Sequence, residues 1–391
     1  MLLPKKIMPQ KYKNEDGLKR TINDVEITDP LILECGEILK KHEIVYETYG
    51  ELNESRSNAV LICHALSGNH HAAGLNENGV SGWWDNYIGP GKSIDTNLFH
   101  VISITNIGSC FGSTGPATIN KATGKFWGAS FPALEVSDWV KSQKMLMDVL
   151  KIKTWLAVIG GSLGGMQAME WSVLYPDCVK SSVIIAASLK LSAQNIAFNE
   201  IARRSIQSDE NFNSGDYLNL GLTPSKGLAL ARMVGHITYL SDDILGEKFG
   251  RSLKNSDSND EKKRNIEFQI SSYLNYQGDK FTKTFDANSY ILITKMLDIF
   301  NFEGNSTQNN QVFKKSKCKF LVISFSSDWR FSPECSEEIV QHLIDEKKNV
   351  TYLRIQSNKG HDSFLLPNER YENGLSLFLT QTLAENTDFL A

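Results

Sequence analysis

One hydroxyl sits among glycines in the run Gly160-Gly161-Ser162-Leu163-Gly164-Gly165. The apolar stretch Trp155 to Ile159 precedes it, and the helical pattern "MQAMEW" follows from Met166. A serine between a strand and a helix, with small neighbours on both sides, fits G-x-S-x-G. The chemistry such a turn serves is nucleophilic. The turn lifts Oγ clear of the sheet, and the glycines let strand and helix close up beneath it. The plain alternative is a glycine-rich turn with an incidental serine, which the strand–turn–helix setting argues against. A phosphate loop is a poorer fit, because no G-K-[ST] follows.

A serine hydroxyl is a weak nucleophile and needs a base, itself oriented by an acid. On this type of elbow the chain order is serine, acid, histidine. Outside the helical stretch described below, two histidines follow Ser162. His342 lies inside an amphipathic helical pattern and reads as a surface residue. His361, in "SNKGHDSF", directly follows the last strand pattern, where ligands meet such sheets. The acid belongs at the end of the preceding strand, and "FLVISFSSDWRF" offers Asp328 there. Two backbone N–H groups must hold the oxyanion. Leu163, next after the nucleophile, supplies one, and Leu66 in "CHALSG" is the candidate for the other. His64, His70 and His71 read as structural. No acidic or cysteine cluster accompanies them, so no metal is expected.

These residues need a scaffold. Short continuous apolar runs recur at "NAVLICHALSG" (58–68), "LFHVISITNIG" (98–108), "TWLAVIGG" (154–161), "VKSSVIIAAS" (179–188), "KFLVISFSSD" (319–328) and "VTYLRIQSNKGHD" (350–362). Such runs suit strands buried on both faces. Amphipathic helical patterns follow Ser137, Gly165 and Cys335. The alternation predicts an α/β fold, a mostly parallel, doubly wound sheet. Around 21–56, alternating polar and apolar positions predict a half-buried hairpin at the sheet's edge. Between about 190 and 312 the pattern turns mainly helical. Residues 1–190 and 313–391 are therefore expected to form one core domain, with 191–312 a helical lid inserted into it. "GRSLKNSDSNDEKKRN" and "NFEGNSTQNNQ" read as polar connectors within that insert.

Composition bounds the class. The 391 residues carry a formal charge of −4, which leaves no basic field for nucleic acid. Apolar runs fall short of the roughly 18 residues a membrane span needs. The polar start shows no secretory signal. Six cysteines without a C-x-x-C pair read as free, mostly buried thiols of a cytoplasmic protein.

Beyond the elbow, "CHALSGNHHAAG" (63–74), "GWWDNYIGPGKSIDT" (82–96), "GSCFGSTGPATIN" (108–120), "GGSLGGMQAMEW" (160–171), "ARMVGHITYLS" (231–241), "SYLNYQGDKFTKTFDANSY" (272–290), "SDWRFSPECSEEIV" (327–340) and "GHDSFLL" (360–366) stand in order along the chain. Together they resemble the homoserine O-acyltransferases of the α/β-hydrolase fold. Asn275 stands where many relatives carry arginine. The resemblance implies a two-step acyl transfer from an acyl-CoA through an acyl-Ser162, with His361 as base and Asp328 orienting it. It further implies that Arg232 takes the carboxylate of L-homoserine and Asp362 its ammonium. Without the family, Arg232 reads as a solvated position on a lid helix. Arg330, two residues past the acid, resembles the feature of the succinyltransferase branch, and an anionic acyl group would give that cation a partner. The expected donor is thus succinyl-CoA, a substrate, with no further cofactor, in a likewise expected homodimer that touches no nucleic acid and no membrane. Acetyl-CoA as donor, serine as acceptor, and a serine esterase of the same fold stand as the alternatives.

Overall fold

The computed structural model describes residues 10–13, 17–254, 267–304 and 311–388. Most of both polar connectors, 255–266 and 305–310, and the first nine residues lie outside the described residues.

Among the described residues nine strands form the main sheet: β1 (Gln10–Lys13), β2 (Lys19–Ile27), β3 (His42–Tyr49), β4 (Ala59–Cys63), β5 (His100–Ile104), β6 (Ala157–Gly161), β7 (Ser181–Ile185), β8 (Lys319–Phe325) and β9 (Val350–Ile355). Their spatial order is β1-β2-β3-β5-β4-β6-β7-β8-β9. From β5 to β9 every pairing is parallel, and β1, β2 and β3 add antiparallel to one side. The sheet is therefore mostly parallel, as the alternation predicts.

Along the central strands the two faces alternate. Leu61 and Cys63 join one apolar cluster, Val60 and Ile62 the other. Phe320 and Val322 likewise face the opposite way from Leu321 and Ile323. Period-two alternation with both faces apolar requires cover on each side. Helices α1 (Val136–Val149) and α2 (Leu163–Leu174) carry cores on the first face. The carboxyl-terminal helix α9 (Glu369–Asp388) covers the second with Tyr371, Leu375 and Leu379.

Two strand expectations change. His42–Tyr49 is internal, flanked by β2 and β5, because Lys19–Ile27 and Gln10–Lys13 extend the sheet beyond it. Val350–Ile355 is half exposed, because it forms the far edge and lacks a neighbour on one side. The thiols also differ from the expectation: all six are free, yet only Cys63 and Cys318 are buried.

Between β7 and β8 run α3 (Ala193–Gln207), α4 (Ser225–Tyr239), α5 (Asp242–Lys248), α6 (Gln269–Thr282) and α7 (Ala287–Ile299). Side-chain caps start three of them: Ser192, Ser241 and Asp286 accept from backbone N–H groups of the first turns. The end of α4 reaches the loops that follow β8 and β9. Trp329 Nε1 donates to Leu240 O at 3.2 Å, and Ser241 Oγ donates to Asn358 O. Helix α8 (Pro333–Asp345) follows β8, and His342 on it faces Glu303 at 3.4 Å. No helix among the described residues is long and apolar enough to cross a membrane.

Candidate active site

The four glycines of the elbow answer to contacts. A Cβ on Gly160 would lie 2.2 Å from the Gly164 carbonyl, and one on Gly164 would lie 2.1 Å from Cys63 O. A Cβ on Gly161 would meet the Phe364 ring at 2.5 Å, and one on Gly165 would meet Ala187 Cβ at 2.7 Å. Each of these is closer than real Cβ contacts come, so side chains are excluded all round the turn. Ser162 itself adopts φ 58°, ψ −124°, a region costly for a residue with a side chain. Its N–H donates to Ile185 O at 2.8 Å, and its carbonyl accepts from Gly165 N at 2.9 Å. The strain is thus held from both ends by β7 and by the first turn of α2.

Because β6, β8 and β9 run parallel, their carboxyl ends lie on one edge. Asp328 and His361 project from the loops after β8 and β9. His361 Nδ1 lies 2.7 Å from Asp328 Oδ2, with both side chains buried. Asp328 Oδ1 accepts from Arg330 N at 3.0 Å and from Phe331 N at 2.9 Å. The carboxylate is therefore fixed before the imidazole meets it. The rings of Phe331, Phe364 and Tyr239 surround His361 at 5.0, 5.6 and 5.9 Å between centroids. No hydrogen bond joins Ser162 Oγ to His361 among the described residues, and in unliganded sites such bonds are often long. Leu66 and Leu163 are both buried, and the strand end before Leu66 abuts the start of α2 through the Cys63–Gly164 contact.

Arg232 and Asp362 approach the same place from different elements. Arg232, on α4, lays its guanidinium over the Phe281 ring at 4.7 Å. It makes no ion pair among the described residues. Burial raises the Asp362 carboxyl, while His361 and Arg232 act to lower it. The two charges thus feel one another without pairing.

Arg330 is buried, at 8% exposure. Its guanidinium donates to Thr238 Oγ1 at 2.8 Å and Asn199 Oδ1 at 3.4 Å, and lies 5.1 Å from the Tyr239 ring centroid. Those partners are neutral. Among the described residues no carboxylate lies within ion-pair distance of it. Burial raises the Tyr290 phenol chiefly, and Arg330, Arg232 and Arg203 pull it back, so these cations share one neighbourhood.

A cavity of about 770 Å³ has Arg232 in its wall, while Ser162, Asp328, His361, Asp362 and Arg330 are not among its lining residues. Ser67 and Gly68 of the loop after β4, Arg232, and Phe281 and Phe285 line it. Glu47, His70 and His71 line it too, and the sequence reading missed that. Glu47 pairs with Arg20 at 3.0 Å and with His71 at 3.1 Å, and Tyr49 donates to it. Burial lowers His70 to about 4, so it stays neutral. The adjacent "HH" was visible, but nothing local marked Glu47 as its partner on β3. No cluster of three or more metal-ligating side chains occurs among the described residues.

The α/β hydrolase fold family matches residues 58–367. A Cellvibrio japonicus relative named homoserine O-succinyltransferase is 56% identical over 362 residues, 92% of this chain and 95% of its own length. The crystal structure of a homoserine O-acetyltransferase from Bacillus anthracis superposes with TM-score 0.84 at 27% identity, covering 92% of this chain and 97% of that one. The crystal structure of an esterase, E22, superposes with TM-score 0.82 at 29% identity over 92% of this chain and 100% of its own. Shape alone therefore does not divide acyltransferase from esterase. The sequence relation is much closer on one side: this chain belongs to the α/β-hydrolase fold and, within it, to the family of the homoserine O-succinyltransferases.

Proposed function

We propose that this enzyme transfers the succinyl group of succinyl-CoA to the side-chain hydroxyl of L-homoserine. The observation that carries the donor is Arg330, a buried guanidinium with neutral side-chain partners only, lying over the Tyr239 ring that also flanks His361. A succinyl carboxylate supplies the missing anion, and an acetyl group does not.

Ser162 Oγ attacks the thioester carbon, and its proton passes to His361 Nε2. The Leu66 and Leu163 N–H groups hold the oxyanion. The C–S bond then breaks, and the CoA sulfur takes the proton from His361, leaving succinyl-Ser162. The homoserine hydroxyl, its carboxylate on Arg232 and its ammonium on Asp362, loses its proton to His361 and attacks the ester. Collapse returns that proton to Ser162 Oγ and releases O-succinyl-L-homoserine. Asp328 keeps the imidazole in one tautomer throughout. The balance calls for no cofactor and no metal.

Residues 191–312 act as the lid in this reading, and water must be kept from the acyl-serine while homoserine enters. The free thiols support a cytoplasmic setting. The exposed Leu230 and Ile237, seven residues apart on one face of α4, support a homodimer across the lid helices. Sedimentation at equilibrium reads that directly, and a monomer at working concentration would refute it.

The deciding experiment crosses succinyl-CoA and acetyl-CoA with homoserine and serine. CoA release that depends on homoserine and favours succinyl-CoA is expected. CoA release without any acceptor at the same rate would make the protein an esterase. In Ser162→Ala, mass spectrometry after mixing with succinyl-CoA alone should find no acyl adduct.

A further inference from the structure

Leu66 N–H lies in the loop beyond the last residue of β4, so the sheet itself does not aim it. Its peptide does. The Ala65 carbonyl and the Leu66 N–H are opposite ends of one planar trans unit and point in opposite directions. Whatever fixes Ala65 O therefore fixes the line of Leu66 N–H. Two groups hold that oxygen: His64 Nδ1 at 2.7 Å and Gly68 N at 3.0 Å. Gly68 must be glycine for this, because a Cβ there would lie 2.8 Å from His64 Cβ.

The neighbours of His64 determine its tautomer. Asn106 N can only donate, and it lies 3.1 Å from Nε2. Nε2 is therefore the acceptor, and the proton sits on Nδ1, facing Ala65 O. Burial lowers the ring to about 4, so it is neutral in this tautomer at neutral pH.

The same anchorage reaches the peptide that follows the second donor. Gln167 Nε2 donates to His64 O at 2.9 Å and lies 3.2 Å from Leu163 O. Gln167 Oε1 accepts from Asn106 Nδ2 at 3.0 Å and from Gln143 Nε2 at 2.7 Å. One buried set of polar side chains thus ties the loop after β4, the loop after β5 and the first turns of α2.

We propose that His64 is the positioning residue of the oxyanion hole, holding the Ala65–Leu66 peptide so that the Leu66 N–H faces the reacting oxygen, with Gln167 coupling that loop to the start of α2. The proposal rests on the serine acyl-transfer reading above. His64→Asn keeps an amide N–H near the place of Nδ1, whereas His64→Gln moves it towards Nε2 and leaves Ala65 O without its side-chain donor. The measurements are single-turnover CoA release from succinyl-CoA, affinity for a non-reactive thioether analogue of succinyl-CoA, and the melting temperature. His64→Gln should acylate about ten- to a hundredfold more slowly, short of the full loss of an oxyanion donor. Its analogue affinity should be unchanged, and His64→Asn should recover most of the rate at a similar melting temperature. Equal rates in the two variants, or a loss that appears in analogue binding instead, would overturn the proposal. Gln167→Met gives an independent arm: slowed acylation with normal analogue binding supports the coupling, and wild-type acylation removes it. Should the wild type itself form no acyl-Ser162 with succinyl-CoA, the transfer reading fails rather than the role of His64.

Discussion

Gly360 and Tyr239 meet so closely that a Cβ on Gly360 would lie 2.6 Å from the Tyr239 carbonyl, and Gly360 adopts φ +71°. Gly360 immediately precedes His361, and the Tyr239 ring flanks the imidazole. The end of α4 is therefore pressed against the loop that carries His361. Gly360→Ala adds both backbone strain and overpacking, together about 2–5 kcal/mol. A lower melting temperature and a fall in acylation rate are expected together. A variant that melts like the wild type would mean that this contact yields freely.

Arg330→Leu keeps bulk and removes the guanidinium. A charge-assisted pair with the succinyl carboxylate should contribute about 1.5–3 kcal/mol, so succinyl transfer should drop roughly ten- to a hundredfold. Acetyl transfer should hold or improve. Competition assays with both donors in one vessel give the ratio, and an equal loss for both donors would remove Arg330 as the selector.

Arg232→Ala separates the two half-reactions. Acylation by succinyl-CoA should proceed near the wild-type rate. Transfer to homoserine should weaken by about 2–4 kcal/mol in kcat/KM, the cost of leaving a charge unpaired. Equal damage to both steps would instead assign the guanidinium to the lid or to CoA.

Glu170, buried on α2, has its carboxyl raised by burial from 4.5 to about 7. The folded protein thus binds more protons than the unfolded chain between these values, and stability falls as pH rises through that window. Glu170→Gln removes the penalty. The variant should match the wild type near pH 4.5 and exceed it by about 1–3 kcal/mol above pH 7. Denaturant titrations at several pH values check this, and a pH-independent difference would contradict it.

The sequence made the elbow legible because four glycines and a strand–helix change lie within a few residues. Asp328 could be singled out because it closes a buried apolar run, and His361 because it follows the last strand pattern, although that strand is half exposed; parallel strands deliver both carboxyl ends to one edge. Arg330 could be named but not placed. Its burial depends on Asn199 and Thr238, which lie on two helices far from it in the chain. Glu47 escaped for a similar reason: its partners Arg20 and His71 come from a neighbouring strand and a loop, with no local pattern. The misplaced edges of the sheet share this cause. Whether a strand has two neighbours or one is decided by segments elsewhere, here Gln10–Lys13 and Lys19–Ile27.

The parallel pairing of β7, β8 and β9 also orders events during biosynthesis. Helices α3 to α7 intervene between β7 and β8, so the β7–β8 ladder must close over a long stretch of chain. Such distant parallel pairings form slowly. Until β9 docks on β8, Asp328 and His361 do not meet, and Ser162 lacks the base that the proposed mechanism gives it. On the proposed mechanism a nascent or half-folded chain therefore carries an inert hydroxyl and does not spend acyl-CoA on water. Recovery of acyl-enzyme formation after dilution from denaturant should therefore track the docking of β9 on β8.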